Sequence, residues 1–97
     1  MKAYEVIASP NSWTKYVLAR NRSGFPVDAR GEEACRWCAI GAMCRAYGEG
    51  TDEVCVALCK VENALIDKGY GGYISLFNDR PECTHEEVYN LLKGLDV

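Results

Sequence analysis

The sequence lacks long apolar runs. Among its 97 residues, no stretch approaches the roughly 20 consecutive apolar residues that a membrane-spanning helix requires. The N-terminal segment 1–9 also lacks the apolar core and the small-residue cleavage site of a signal peptide. From these two absences we expect a cytoplasmic protein that does not associate with membranes.

Basic runs are absent as well. The 11 Lys and Arg residues are scattered along the chain, and the formal net charge is −3. An interface for nucleic acid needs a basic stripe that neutralises phosphates, and binding to an anionic membrane surface needs the same kind of stripe. We therefore expect no nucleic-acid partner. The length predicts a single domain, residues 1–97, with enough chain to bury one modest core.

The sequence also has few of the residues and motifs that carry common enzyme chemistry. It contains no Gly-rich phosphate loop, no HExxH motif and no paired-carboxylate signature, and His85 is its only histidine. A cysteine nucleophile needs a base, and nothing in the sequence pairs His85 with a thiol. These absences favour a protein without catalytic activity.

The sequence does contain helical patterning. Trp13, Tyr16, Val17 and Arg20 recur at the spacing of one helix face, which predicts a first helix over residues 10–21.

The next segment with a helical pattern runs from Ala34 to Tyr47 and is apolar on all sides. Such a helix is usually the buried centre of a small domain, and we expect it to cover about residues 30–47. Gly41 inside it costs about 1 kcal/mol relative to Ala, which indicates that a neighbour packs against its backbone.

Capping residues predict the remaining helices. Thr51 caps a helix that ends near Lys68, and Thr84 begins a capping box before a helix over residues 85–93. A short helical turn is expected at residues 74–77. The predicted fold class is all-α: a small four-helix domain packed around the central buried helix.

Six cysteines raise the question of disulfides, metal or redox chemistry. Without a secretion signal, the thiols are expected to stay free. Cys35 and Cys38 lie at i, i+3, and Cys55 and Cys59 at i, i+4, so two facing helices could offer four thiolates to zinc or to an iron–sulfur centre. The first pair also forms a C-x-x-C motif, but thiol-redox chemistry needs a strand and a helix N-terminus there, and neither is predicted. We expect no metal or cofactor, and keep a metal-binding or thiol-redox protein as an alternative.

Three segments form a joint pattern: Tyr16–Arg20 with Gly24–Val27, Cys35–Ala42, and Phe77–Asp79 with Thr84–Val88. This pattern resembles a bacterial and bacteriophage family, the domain of unknown function 6197, which shows a Trp-Cys-x-x-Gly-Ala helix and a Trp-Asn-Asp…Thr-x-x-Glu-Val tail. Phe77 stands where the family often has Trp and keeps the aromatic character. The resemblance implies a small helical protein of bacterial or phage origin, and no activity. It singles out these residues: Trp37, Cys38, Gly41, Ala42, Asn78, Asp79 and Thr84.

By elimination, we expect an accessory or regulatory module that binds a protein partner, and the sequence leaves homo-oligomerisation open. The turn at Asn78 and Asp79, just before Pro81, is the predicted binding region, because loops often carry function. His85 follows closely and is included in it. A small enzyme with a pocket near these residues is the second alternative.

Overall fold

A computed structural model describes all residues, 1–97. Its elements in chain order are α1 (Ala3–Val6), β1 (Ala19–Arg20), β2 (Arg36–Trp37), α2 (Ala39–Tyr47), α3 (Asp52–Asp67), α4 (Ile74–Asn78) and α5 (His85–Gly94), with a 3₁₀ turn at Pro10–Ser12. The fold is mostly helical but includes a two-stranded antiparallel sheet, so the all-α prediction is right only in part. None of the five α-helices combines the length and apolarity needed to cross a bilayer.

The helices that begin at threonine caps are confirmed. The Thr51 hydroxyl accepts a hydrogen bond from the Val54 N–H at 3.2 Å, and the Thr84 hydroxyl accepts one from the Glu87 N–H at 3.3 Å. These bonds satisfy N–H groups that have no partner inside the helix. The Glu87 carboxylate bonds Arg80, so this side chain connects α5 to the preceding turn.

The predicted helix over residues 10–21 is wrong. After the 3₁₀ turn the backbone hydrogen bonds of this segment go to a distant part of the chain: Leu18 and Arg20 carbonyls accept from the N–H groups of Cys38 and Cys35, at 3.2 and 2.9 Å. Trp13, Val17 and Arg20 are half-buried whereas Tyr16 is 70% exposed, so the spacing from Trp13 onward does not mark one buried face. A helix was favoured because this non-local pairing leaves no signal in the local pattern.

The predicted helix over residues 30–47 is right only from Ala39 onward. Turns occupy residues 28–34, and Arg36 and Trp37 form β2, antiparallel to β1. Apolar residues on all sides of a segment indicate that it is buried. A buried short strand and a buried helix both show this pattern, so it does not distinguish them. The Trp37 side chain is buried, and its indole N–H donates to the Ala29 carbonyl at 2.9 Å.

Helix α2 is nonetheless the centre of the domain. It contacts α1, α3, α4 and β2, and its residues 41–44 are all buried. Facing it are buried side chains from the other helices, among them Ile7, Val61, Leu65 and Phe77. Each such side chain contributes about 1.5–3 kcal/mol when it leaves water. Together with α2, these side chains form the domain's single cluster of buried apolar residues.

Gly41 is the point of closest approach to α2, as the sequence indicated. A Cβ built on Gly41 would lie 1.9 Å from the Leu18 carbonyl oxygen and 2.8 Å from the Leu18 carbonyl carbon. Backbone atoms cannot move aside as the end of a side chain can. The segment that carries Leu18 therefore lies directly on the first turns of α2, and only glycine allows it.

We expect Gly41→Ala to lower the free energy of unfolding by about 3 kcal/mol. The gain of about 1 kcal/mol in helix propensity does not offset the clash. Denaturant unfolding followed by circular dichroism measures the change.

Gly94→Ala is the matched control, because a Cβ there meets nothing within 4 Å. It should leave stability unchanged or raise it by up to about 1 kcal/mol. Equal effects of the two substitutions would contradict the packing described for Gly41.

Candidate functional site

The side chain of Asn78 connects three segments of the chain. It lies at the end of α4 and is 1% exposed. Its Oδ1 accepts hydrogen bonds from the Trp13 indole N–H at 2.9 Å and from the Ala39 N–H at 3.0 Å. Its Nδ2 donates to the Thr14 carbonyl at 3.1 Å and to the Asp79 carboxylate at 3.0 Å. The amide therefore uses both donors and two acceptor positions within the protein.

Asp79 extends this network to the next part of the loop. Its Oδ1 also accepts a hydrogen bond from the Tyr16 N–H at 2.9 Å. Tyr16 has a φ of 75°, a left-handed conformation that costs a residue with a Cβ about 1–2 kcal/mol. The network thus fixes the backbone of Thr14–Leu18, which we call the rim loop.

A cleft of about 180 Å³ lies between the rim loop and the starts of α2 and α4. It is lined by residues 16–18 of the rim loop together with Cys38, Ile40, Ser75 and Asp79. Its walls are mainly aliphatic and aromatic, with a thiol, a hydroxyl and a carboxylate as the polar groups. We call it the rim-loop cleft.

Two polar groups of this cleft are free to meet a ligand. Asp79 accepts both of its hydrogen bonds at Oδ1 and none at Oδ2. The Ser75 hydroxyl makes no hydrogen bond within the chain, and its residue is exposed. Large apolar side chains of the same cleft are exposed at the surface: Tyr16 is 70% exposed and Leu18 40%.

The N-terminus of α2, which borders the cleft, is already capped. The Ala39 N–H donates to Asn78, and the Gly41 N–H donates to the Cys38 sulfur at 3.3 Å. Helix N-termini bind anions through free N–H groups, and these N–H groups are occupied. With the Asp79 carboxylate beside it, this end of α2 is unsuited to an anion.

Cys38 occupies a position that the sequence did not predict. A strand precedes it and it is the N-cap of α2, whereas the sequence indicated a helix beginning several residues earlier and no strand. Burial raises the pKa of the Cys38 thiol, although its contacts with backbone N–H groups act in the opposite direction. A raised pKa opposes thiolate formation, which a nucleophilic or redox-active cysteine needs.

The four cysteines of the metal-binding alternative differ in burial and lie in different parts of the fold. Cys38 is buried at the start of α2, Cys35 is half-buried with its thiol 3.6 Å from the Arg20 carbonyl oxygen, and Cys55 and Cys59 are exposed on α3. No three His, Cys, Asp or Glu side chains are placed to hold a metal ion together. All six cysteines are free thiols.

The predicted binding residues separate into three roles. Asp79 lines the rim-loop cleft, whereas Asn78 lies beneath it with its hydrogen bonds used. His85 lies outside the cleft: its Nε2 is 2.6 Å from the Ile7 carbonyl oxygen, and its ring stacks on Tyr89 with centroids 5.7 Å apart. Sequence reasoning missed the rim loop itself, since its residues were assigned to a helix.

Three larger grooves of 340–450 Å³ are present elsewhere. The largest lies between residues 21–23 and 32–35, and another lies where α3 begins beside the two chain ends. By volume alone, these three grooves would be stronger candidates for a binding site than the rim-loop cleft. The rim-loop cleft is distinguished by its construction, because a buried hydrogen-bond network holds one of its walls in place.

The comparison with protein families gives one match. The model described as "Family of unknown function (DUF6197)" matches residues 1–94. The chain belongs to this family. No curated protein and no solved structure matches the chain. In this DUF6197 member, several residues singled out by the resemblance have structural roles: Cys38 caps α2, Gly41 permits close packing and Asn78 holds the rim loop.

We expect Asn78→Ala to lower the free energy of unfolding by about 4 kcal/mol, because it leaves the Trp13 and Ala39 N–H groups without acceptors and each unsatisfied donor costs about 1–3 kcal/mol. Hydrogen exchange should also accelerate at the Tyr16 amide. Denaturant unfolding and exchange measured by NMR give the two readouts. Asn90→Ala, at an exposed position of α5, is the control and should stay within about 0.5 kcal/mol of the wild type. A similar loss for both variants would refute the role given to Asn78.

Thiol reactivity should divide the cysteines into classes. Cys55 and Cys59 are exposed, and burial raises the pKa values of the Cys38, Cys44 and Cys83 thiols. At mildly alkaline pH an aromatic disulfide reagent should therefore modify Cys55 and Cys59 rapidly and the three buried thiols slowly in the folded protein, with the half-buried Cys35 at an intermediate rate. The Cys55→Ser/Cys59→Ser double variant should lose the fast phase. Persistence of that phase would contradict the placement of these thiols.

Proposed function

We propose that this DUF6197 member is a protein-binding module, accessory or regulatory in its role, and that the rim-loop cleft is its contact surface. One observation carries the proposal. The buried Asn78 amide and the Asp79 carboxylate hold an irregular loop through the Thr14 carbonyl and the Tyr16 N–H. In this loop the Tyr16 side chain is 70% exposed and the Leu18 side chain is 40% exposed.

The energetics of the rim loop support binding as its purpose. The left-handed conformation of Tyr16 costs about 1–2 kcal/mol, and Tyr16 recovers little of this by burial because most of its side chain is in water. Stability of the domain does not require such a residue there. A loop that is already ordered loses less conformational entropy when a partner binds, and tyrosine is enriched in protein interfaces.

The size of the cleft favours a protein partner over a metabolite. Small-molecule sites usually enclose about 300–1,000 Å³, whereas the rim-loop cleft measures about 180 Å³. A cleft of this size takes one side chain. The exposed side chains of Tyr16 and Leu18 then cover the surface next to that side chain.

The other two hypotheses lack a comparable observation. A metal or redox role would use Cys35, Cys38, Cys55 and Cys59, but Cys55 and Cys59 are exposed on α3, Cys38 is buried at the start of α2, and no three potential ligands are placed to hold a metal ion together. An enzyme site at the Asn78 turn would need Asp79 and His85 in one pocket, whereas Asp79 lines the rim-loop cleft and His85 lies outside it.

Tyr16→Gly separates binding from folding. Glycine adopts a φ of 75° without strain, and its loss of about 0.5–1 kcal/mol in chain entropy is offset by that relief. We expect the free energy of unfolding to change by less than about 1 kcal/mol. Binding should weaken about 30-fold, the loss typical of a central interface tyrosine worth about 2 kcal/mol.

The measurement is affinity capture of a partner with immobilised wild type, Tyr16→Gly and Val56→Ala, followed by hydrogen exchange on the complex formed. Val56 is 61% exposed on α3 and lines a different groove. The proposal predicts capture by the wild type and by Val56→Ala, loss with Tyr16→Gly, and protection of the rim loop. Capture that survives Tyr16→Gly, or protection elsewhere, would overturn the proposal.

A further inference from the structure

We propose that the rim-loop cleft accepts a lysine side chain of the partner protein. This inference rests on the proposed function and names the chemistry of the side chain that enters the cleft. It depends on the free carboxylate oxygen of Asp79, the free hydroxyl of Ser75 and the apolar side chains that line the cleft with them.

The charge of Asp79 is not neutralised within the chain. The ion pairs of the protein join Lys2 to Asp96 and Arg80 to two glutamates. The nearest basic residue in sequence on the rim loop, Lys15, instead donates to the Arg80 carbonyl at 2.5 Å. The cleft therefore contains an unpaired carboxylate.

The helix end beside the cleft does not reverse this charge. The N-terminus of α2 carries a partial charge of roughly +0.5, whereas the Asp79 carboxylate carries a full negative charge. Moreover, the N–H groups of Ala39 and Gly41 already have acceptors. Among the residues that line the cleft, Asp79 is the only one with a full charge, and a carboxylate attracts a cation and repels an anion.

The walls suit the stem of a lysine. Val17, Leu18 and Ile40 line the cleft, and the four methylenes of lysine pack along such apolar surface while the ammonium stays polar. The volume of about 180 Å³ corresponds to roughly six waters at about 30 Å³ each. Only a slender side chain fits beside the ordered rim loop.

Lysine is favoured over arginine by the number of free acceptors. Arginine binds carboxylates best through two parallel hydrogen bonds, one to each oxygen. The Oδ1 atom of Asp79 already accepts from Tyr16 and Asn78, so only Oδ2 is free. An ammonium group is a compact charge with three donors, and it can bond Oδ2 and the Ser75 hydroxyl without a fork.

The test is selection of a displayed library of random peptides on the wild-type protein, followed by calorimetry with the enriched peptides. The inference predicts that lysine is enriched at one position. Replacing that lysine by norleucine, which keeps the stem and removes the ammonium, should weaken binding about tenfold, since hydrogen bonds to charged groups are worth about 1.5–3 kcal/mol. Replacement by arginine should also weaken binding.

Asp79→Asn is the matching change in the protein. Asparagine keeps an Oδ1 that accepts from Tyr16 and Asn78, so the rim loop stays ordered while the charge is lost. The variant should weaken the lysine peptide about tenfold and bind lysine and norleucine peptides equally. Asp67→Asn, on the exposed end of α3, is the control and should bind as the wild type does.

The outcomes separate the two proposals. If Tyr16→Gly abolishes peptide binding but norleucine equals lysine, or Asp79→Asn has no effect, the lysine inference is wrong and the protein-binding proposal stands. If enriched peptides bind Tyr16→Gly normally, both proposals are overturned. If no peptide is enriched, the lysine inference is wrong, and the capture experiment decides the protein-binding proposal.

Discussion

The hydrogen bonds of the buried Asn78 amide are the interaction on which the rest of the structure depends. One side chain provides the acceptor for the first N–H group of α2 and for the Trp13 indole, and the donor for the Thr14 carbonyl. Asn78 is 1% exposed and Ala39 is likewise buried, so neither the Asn78 amide nor the Ala39 N–H can turn to water instead. A buried polar network of this kind stabilises only when every member is satisfied, so the segments it joins must be placed together.

The position of the rim loop follows from this constraint. Once Thr14 is held at the end of α4, the chain runs across α2, and the Leu18 carbonyl accepts from the Cys38 N–H while lying over Gly41. β1 then pairs with β2, and α2 cannot extend toward the N-terminus because Trp37 is committed to the sheet. The first N–H group of α2 then finds its acceptor in Asn78, a residue almost 40 positions away in the sequence. The start of the central helix thus depends on two non-local contacts, the sheet and this hydrogen bond.

How far the sequence could predict this fold depends on whether the signal is local. The helices after Thr51 and Thr84 were predictable because cap, first turn and apolar stripe lie within a few residues of one another. Gly41 was a local anomaly and indicated close packing correctly. The helices predicted over 10–21 and 30–47 failed where backbone groups are satisfied across the sheet, and where the cap of α2 comes from a cysteine and a distant asparagine. The spacing of apolar residues indicates which positions are buried, but it does not indicate which distant strand a segment pairs with.

The same distinction applies to the candidate site. The turn at Asn78 and Asp79 was visible as polar residues before a proline, but the cleft was not, because its other wall comes from a segment more than 60 residues earlier. The two carboxylate oxygens of Asp79 have different roles, one in the fold and the other in the proposed binding. Oδ1 orders the rim loop through Tyr16, whereas Oδ2 accepts no hydrogen bond within the chain and is the atom that we propose binds the partner's lysine. A ligand that bonds Oδ2 binds only when the loop is in place, so binding stabilises the loop, and every interaction that orders the loop strengthens binding.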